Sequence, residues 1–279
     1  MNIKLARSAG FCFGVKRAID IAYGTLVNNK NVFMLGDIVH NEEVAKKLRN
    51  AGVKKIKELN AGKDKILLIR AHGARLSTID AAIRLGYRIV DATCPMVKEI
   101  HKIVRHAEAE GRKIIVIGDK KHDEVRGIIG QLKRKDLVIS GPENISLDKI
   151  KAIKKATIVT QSTQNIVKVL KITDILKRHI KDLKFYNTIC RPTRIKQQEM
   201  QNMPLENDVM IIIGSKASAN TQRLYEISKT LNTKSYWVSS KKDIKQEWFN
   251  GARSVGITAG ASTPDNTTKE ISAYIKKIT

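Results

Sequence analysis

Six short apolar runs punctuate the chain. Val32-Phe33-Met34-Leu35, Ile114-Ile115-Val116-Ile117 and Val209-Met210-Ile211-Ile212-Ile213 end on Gly36, Gly118 and Gly214. Continuous apolar runs of this length, bounded by turn residues, predict strands buried on both faces, as in parallel sheets. Three further runs lead into polar loops. Ile66-Leu67-Leu68-Ile69 precedes Arg70-Ala71-His72-Gly73, Ile158-Val159 precedes Thr160-Gln161-Ser162-Thr163, and Val255-Gly256-Ile257 precedes Thr258-Ala259-Gly260-Ala261-Ser262. Between the strands the apolar period becomes helical. Val15, Ala18, Ile19, Ala22, Tyr23 and Leu26 predict one helix, and Val97, Ile100, Val104 and Ala107 predict another. Ile166, Val169, Leu170, Leu176 and Ile180 mark a core-facing helix with a solvated lysine face. Strand, loop, helix, strand, loop is an α/β unit whose strand-end loops bind ligands.

The pattern repeats in register with the cysteines. Cys12 is followed 24 residues later by Gly36 and 28 later by His40. Cys94 stands at the same distances from Gly118 and His122, and Cys190 from Gly214 and Ser218. Three such coincidences establish an internal repeat. The loop that pairs with Cys12 lies near the C-terminus, so the units are circularly offset and the chain ends must meet. The expected units are residues 13–93, 94–189 and 190–279, the last completed by residues 1–12.

Composition narrows the classes. The 279 residues are 42% hydrophobic, enough for a real core, and no run reaches the ~20 apolar residues of a membrane span. The N-terminus has a basic start but neither a long apolar core nor a small-residue cleavage site, so a signal peptide is not expected. Three cysteines make no disulfide framework, and a reducing cytoplasm is the expected setting. The formal charge of +25 invites nucleic acid as a partner, but the surplus is spread along the chain. Its densest stretch, residues 149–196, carries thirteen Lys/Arg against two Asp and also holds helical apolar spacing. Aromatics at 5% offer no stacking platform for bases.

A lone cytosolic cysteine is usually a small buried hydrophobe. Three at repeated positions, each at a loop–helix junction, read differently. A thiol at a helix start feels the positive end of the helix dipole, which favours thiolate, and Pro95 suits the first turn after Cys94. With no C-x-x-C pair, two metal readings stay open: a zinc site with three thiolates and an open position, or an iron–sulfur cluster with one iron lacking a thiolate. His40, His72 and His122 join Ser162, Ser218, Asn220 and Ser262 in the loops. Together they form a donor set suited to a compact anion such as a diphosphate. Glu124, two residues after His122, is the candidate acid. No Walker pattern or dinucleotide fingerprint is present.

These residues resemble the 4-hydroxy-3-methylbut-2-enyl diphosphate reductase (LytB/IspH) family of the non-mevalonate isoprenoid pathway. The resemblance runs through Gly10-Phe11-Cys12-Phe13-Gly14-Val15, Val39-His40-Asn41, Ala71-His72-Gly73 and Asp91-Ala92-Thr93-Cys94-Pro95. It continues in Thr160-Gln161-Ser162-Thr163 and in Thr258-Ala259-Gly260-Ala261-Ser262 with Pro264-Asp265. It implies an α/β fold of three repeated units with small parallel sheets, arranged as a trefoil around a central 4Fe–4S cluster. Cys12, Cys94 and Cys190 would be the ligands, leaving one open iron for the allylic hydroxyl of the substrate. Reduction and acid would expel that oxygen as water, giving isopentenyl and dimethylallyl diphosphates. His40, His72, Ser218, Asn220 and Ser262 match positions that hold the diphosphate, with His122 beside them. Glu124 matches the proton-relay carboxylate, and Ser162 a hydroxyl near the substrate. The resemblance also implies a flavodoxin or ferredoxin as electron donor, and a cluster held within one chain, for which a monomer suffices.

Three departures from the family pattern stand out. Asp123 replaces a usual proline, and its carboxylate is expected to raise the pKa of Glu124. Arg191-Pro192 after Cys190 is more basic and stiffer than usual. Ala219 removes a hydroxyl beside Ser218, at a cost of ~1 kcal/mol in diphosphate binding. Two other classes compete with this reading, a basic RNA-binding protein with incidental cysteines and a zinc hydrolase. Neither nucleic acid nor a membrane is an expected partner. The basic surplus is expected to steer an acidic redox protein.

Overall fold

The structure, a computed structural model, describes residues 1–134 and 136–279. Twelve strands form three four-stranded sheets. In chain order they are β1 (Asn2–Leu5), β2 (Val32–Leu35), β3 (Lys54–Ile56), β4 (Ile66–Ile69), β5 (Arg88–Asp91), β6 (Lys113–Ile117), β7 (Leu137–Ile139), β8 (Lys155–Thr160), β9 (Asp182–Phe185), β10 (Val209–Ile213), β11 (Ser235–Val238) and β12 (Ser254–Ala259). The helices are α1 (Phe13–Val27), α2 (Glu42–Asn50), α3 (Leu76–Arg84), α4 (Pro95–Ala109), α5 (Asp123–Ile129), α6 (Leu147–Lys151), α7 (Ile166–Lys177), α8 (Arg191–Glu206), α9 (Ala219–Leu231) and α10 (Asp265–Ile278). All six apolar runs are strands, and every strand pairing is parallel.

The chain divides into two compact units. The smaller comprises Met1–Lys16, Val39–Lys46 and Cys190–Thr279, and the larger Arg17–Ile38 and Lys47–Ile189. The larger unit contains the sheets β3-β2-β4-β5 and β7-β6-β8-β9. The smaller contains β1-β12-β10-β11, in which the first strand of the chain pairs with the last, Asn2 opposite Ser254. Each sheet has one topology. Let β2, β6 and β10 be first strands and let β1 be the fourth strand of its sheet. The order is then second-first-third-fourth in all three.

The inner strands are largely apolar because both sheet faces are covered. In β6, Ile115 and Ile117 pack with Ile150 of α6 and with Val169, Ile172 and Leu176 of α7. The alternate residues Ile114 and Val116 pack with Ile100 and Val104 of α4 and with Val125 and Ile128 of α5. β10 divides in the same way. Val209, Ile211 and Ile213 meet Ile271 and Ile275 of α10, while Met210 and Ile212 meet Met200 and Met203 of α8 and Leu224 of α9. Side chains alternate across a strand, so a strand sandwiched between helices needs apolar residues at every position. The lysine-faced helix is α7, which buries Val169 and Leu176. Leu170, expected on its core face, is 46% exposed, and Ile180 is buried but lies beyond the helix end. Among the described residues no helix is long and apolar enough to cross a membrane.

Candidate functional site

In an open parallel sheet, ligand-binding loops gather where the strand order reverses, at the carboxyl ends of the strands. Here the reversal lies between the first and third strands of each sheet. The loops after the first strands carry His40, His122 and Ser218, and those after the third strands carry His72, Ser162 and Ser262. All six fall at switch points for one topological reason. The fourth strands β1, β5 and β9 each lead to a cysteine that opens a helix.

In the larger unit, Glu124 lies in the first turn of α5 and is only 2% exposed. Ser162 donates to it twice, through its backbone N–H to Oε1 at 2.5 Å and through its hydroxyl to Oε2 at 2.7 Å. Burial pushes the Glu124 carboxyl above the usual range, against the two Ser162 bonds that favour the anion. Such a group keeps a proton where an exposed glutamate has lost it. His122 caps α5, its Nδ1 accepting from the Glu124 N–H at 3.2 Å. In a neutral ring this places the proton on Nε2, which becomes a donor. The His72 ring stands edge-on to His122, with centroids 5.6 Å apart.

Asp123 does not act as expected. Its carboxylate pairs with Arg70 at 2.7 Å, and burial rather than a neighbouring negative charge raises Glu124. The ion pair ties the loop after β4 to the start of α5, giving by electrostatics the restraint that a proline would give by covalent geometry. Gly73, in the same loop, has φ of +78°, and a Cβ there would lie 2.7 Å from Cε1 of His101. His101, absent from the candidates, is a packing residue. Its Nε2 is buried without a partner among the described residues, and burial together with Arg105 pulls its pKa down to about 4.

In the smaller unit, Ser218 caps α9 and accepts from the Thr221 N–H at 3.3 Å. The Ser262 hydroxyl donates to the His40 carbonyl at 3.1 Å and lies 3.5 Å from Ser218 Oγ. Asn220 accepts the Ala261 N–H on Oδ1 at 2.9 Å. With its acceptor engaged, Nδ2 is buried and has no partner among the described residues. A buried amide donor without an acceptor is costly unless a ligand supplies one. An anion at the start of α9 would do so, aided by the helix dipole.

The three cysteines share one local geometry. The carbonyls of Cys12, Cys94 and Cys190 accept the N–H groups of Lys16, Lys98 and Arg194, each at 3.0 Å, as residues that begin a helix do. Cys12 N–H donates to the Ala261 carbonyl and Cys94 N–H to that of Ala71, both at 3.0 Å. Each tie joins a cysteine to the residue just before Ser262 or His72. None of the three thiols is in a disulfide, and each is partly exposed. Soft, partly exposed thiol donors at helix starts fit a metal or iron–sulfur centre. The alternatives, a buried hydrophobe or a disulfide, do not describe these groups. Pro192 sits in the first turn of α8, where a proline leaves the helix intact.

Two contributors were not among the candidates. Thr193 Oγ1 lies 3.2 Å from Cys190 Sγ, one helical turn on, which the i, i+3 spacing could have suggested. Lys196 is 2% exposed, and its ammonium donates to the carbonyls of Ser8, Gly10 and Ala259, the last at 3.0 Å. Burial lowers its pKa to about 8. Nothing in the sequence distinguishes this lysine from the other cations of the stretch 149–196.

The chain matches the LytB protein family over residues 3–276. It is 37% identical to the 4-hydroxy-3-methylbut-2-enyl diphosphate reductase of Aquifex aeolicus, across 100% of this chain and 97% of that protein. It is 38% identical to that of Campylobacter concisus, across the full length of both. A solved structure of (E)-4-hydroxy-3-methyl-but-2-enyl diphosphate reductase, described as the terminal enzyme of the non-mevalonate pathway, is similar with a TM-score of 0.72. The identity there is 37%, over 99% of this chain and 100% of that one. The reductase structure from Plasmodium falciparum gives a TM-score of 0.90 at 28% identity, over 98% of this chain and 87% of that one.

Proposed function

The chain belongs to the LytB protein family, and on that premise we propose that it reductively removes the hydroxyl of 4-hydroxy-3-methylbut-2-enyl diphosphate. The products are isopentenyl and dimethylallyl diphosphates, at the last step of the non-mevalonate pathway. The observation that carries this reading is the threefold recurrence of one topology with a cysteine opening a helix after each fourth strand. It stands on a chain that matches the reductases end to end. The same recurrence supports three units, residues 13–93, 94–189 and 190–279 with 1–12.

The family implies an iron–sulfur cluster. Our reading is one 4Fe–4S cluster held by Cys12, Cys94 and Cys190 with one iron open. When bound, it supplies electrons and a Lewis-acidic iron for the allylic oxygen. The rest falls to the side chains. Asn220 offers Nδ2, and Ser218, Ser262 and His40 add donors at the start of α9, where a diphosphate would meet the helix dipole. His72 and His122 are read as further diphosphate ligands, His122 through Nε2. Glu124 holds a proton at its buried carboxyl, and Ser162 orients that carboxyl through its N–H and hydroxyl. That proton leaves with the departing oxygen as part of water.

Cysteines that form no disulfide support a reducing cytoplasm as the setting. An acidic flavodoxin or ferredoxin is the proposed donor, steered by the basic surplus, and a single chain suffices. The deciding experiment is anaerobic reconstitution, with iron and sulfide assays and product analysis under a chemical reductant. A brown protein that converts the substrate is expected. A colourless one that carries zinc and no iron refutes the reading.

A further inference from the structure

An ammonium ion sealed among neutral groups is expensive to bury unless negative charge compensates it nearby. Lys196 sits two turns into α8, the helix that Cys190 opens, and is 2% exposed. Its protons go to backbone carbonyls: Ser8, Gly10 at 3.2 Å and Ala259 at 3.0 Å. Ser8 and Gly10 lie in the segment that leads from β1 to Cys12, and Ala259 ends β12, just before the Ser262 loop. One side chain thus joins three segments. It is not salt-bridged through these bonds. Glu199, one turn further along α8, spends its carboxylate on the N–H and hydroxyl of Ser8. The acidic groups whose field reaches Lys196 are Cys12, Glu199, Asp265 and Cys190.

The local backbone is built for this closeness. Gly10 has φ of +95°, and a Cβ there would collide with the Asp265 carboxylate. The segment before Cys12 is therefore held between Asp265 on one side and Lys196 on the other. This is more restraint than a surface loop requires, and it converges on Ser8 and Gly10, four and two residues before the Cys12 thiol.

We propose that Lys196 is a positioning residue for the iron–sulfur cluster: its ammonium fixes the segments carrying Cys12 and Cys190, and its charge favours the reduced state. The inference rests on the function proposed above. Thiolate-bound clusters carry net negative charge and gain one more on reduction, so a fixed cation within reach stabilises the reduced form more than the oxidised one. Without the cluster the same cation keeps its desolvation cost, because its bonds go to neutral carbonyls rather than to a negative charge.

These two statements have opposite signs, which makes the inference testable. Lys196→Met and Lys196→Arg are compared with the parent chain after anaerobic reconstitution. The readouts are iron and sulfide per chain, the midpoint potential followed by the paramagnetic signal of the reduced cluster, and the melting temperature of the metal-free protein. In the titration one electron passes to the cluster from the sulfur dioxide radical anion that dithionite releases, which takes up water and ends as sulfite. The expected result is a lower potential in the Met variant, a potential near the parent value in the Arg variant, and a metal-free Met variant that melts no lower than the parent. A Met variant that retains its melting temperature but fails to hold iron also supports the positioning role. A full iron complement with an unchanged potential overturns the inference. So does a metal-free Met variant that is itself unfolded or melts lower, which marks an ordinary structural lysine. A parent chain that takes up no iron and sulfide overturns the function reading, and this inference with it.

Discussion

Replacing Glu124 by glutamine separates what burial costs the fold from what it gives the chemistry. The folded chain holds the Glu124 proton more tightly than the unfolded chain, because burial has raised the carboxyl above its ordinary value of 4.5. Between that value and the raised folded one, the folded state binds more protons, so stability falls as pH rises. The slope is about 1.4 kcal/mol per pH unit. Glutamine does not titrate and fits the same bonds: its oxygen accepts from the Ser162 N–H, and its amide donates to the Ser162 hydroxyl. Melting of metal-free Glu124→Gln and parent proteins from pH 5 to pH 8 should show the variant gaining on the parent as pH rises. The gain should level off at the top. For domains of this size each kcal/mol corresponds to roughly 2–4 °C. His101 contributes in the opposite sense, since its folded pKa of about 4 lies below the ordinary 6.5 and stability there rises with pH. It is common to both proteins and cancels in the difference. Turnover should fall by about 10²–10⁴ with KM little changed, the expected cost of losing a positioned acid. A melting difference that is constant with pH, or a variant less stable at pH 8, would refute the burial argument. A KM rise as large as the loss in kcat would refute the acid role.

Other consequences are open to measurement. Asn220→Ala should raise the Kd for inorganic diphosphate about 10–100-fold by calorimetry, because it deletes a buried donor to a charged ligand; an unchanged Kd would place the anion elsewhere. Arg112 is buried and bonds Asp182, Thr157 and the Ala156 and Asp182 carbonyls, so Arg112→Met should cost about 2–4 kcal/mol in urea unfolding. Asp182→Asn, at the exposed end of the same pair, should shift the urea midpoint far less, and equal losses would contradict this division. Gly73→Ala, which forces a Cβ into His101 at a positive φ, should destabilise by more than ~1 kcal/mol; urea unfolding at the parental midpoint would show the packing to be looser.

Half of the strands could be read in the chain, and the division follows burial. β4, β6, β8, β10 and β12 are almost wholly buried, and β2 alternates buried with half-buried apolar residues, so their middles are apolar at successive positions. β3, β5, β9 and β11 have exposed or half-exposed positions, and Asp182-Leu183-Lys184-Phe185 alternates too briefly to announce a strand. The loop residues were legible because the repeat places them at fixed distances from glycines and cysteines. Their partners were not. Arg70 and Asp123 are 53 residues apart, and Lys196 and Ser8 are 188 apart. Such pairs carry no local pattern, which is why the effect of Asp123 on Glu124 was misjudged and Lys196 passed as one basic residue among many.

The pairing of the first strand with the last sets an order of events in the making of the molecule. β1 is made long before β12, its sheet neighbour, and Asn2 waits for Ser254. At ~5–20 residues per second that wait lasts roughly 13–50 s, during which β1 is an unpaired edge. The Ala261 carbonyl that anchors the Cys12 N–H arrives later still. Any centre that needs Cys12 held by the Ala261 carbonyl therefore forms only after β12 and the loop behind it have been made.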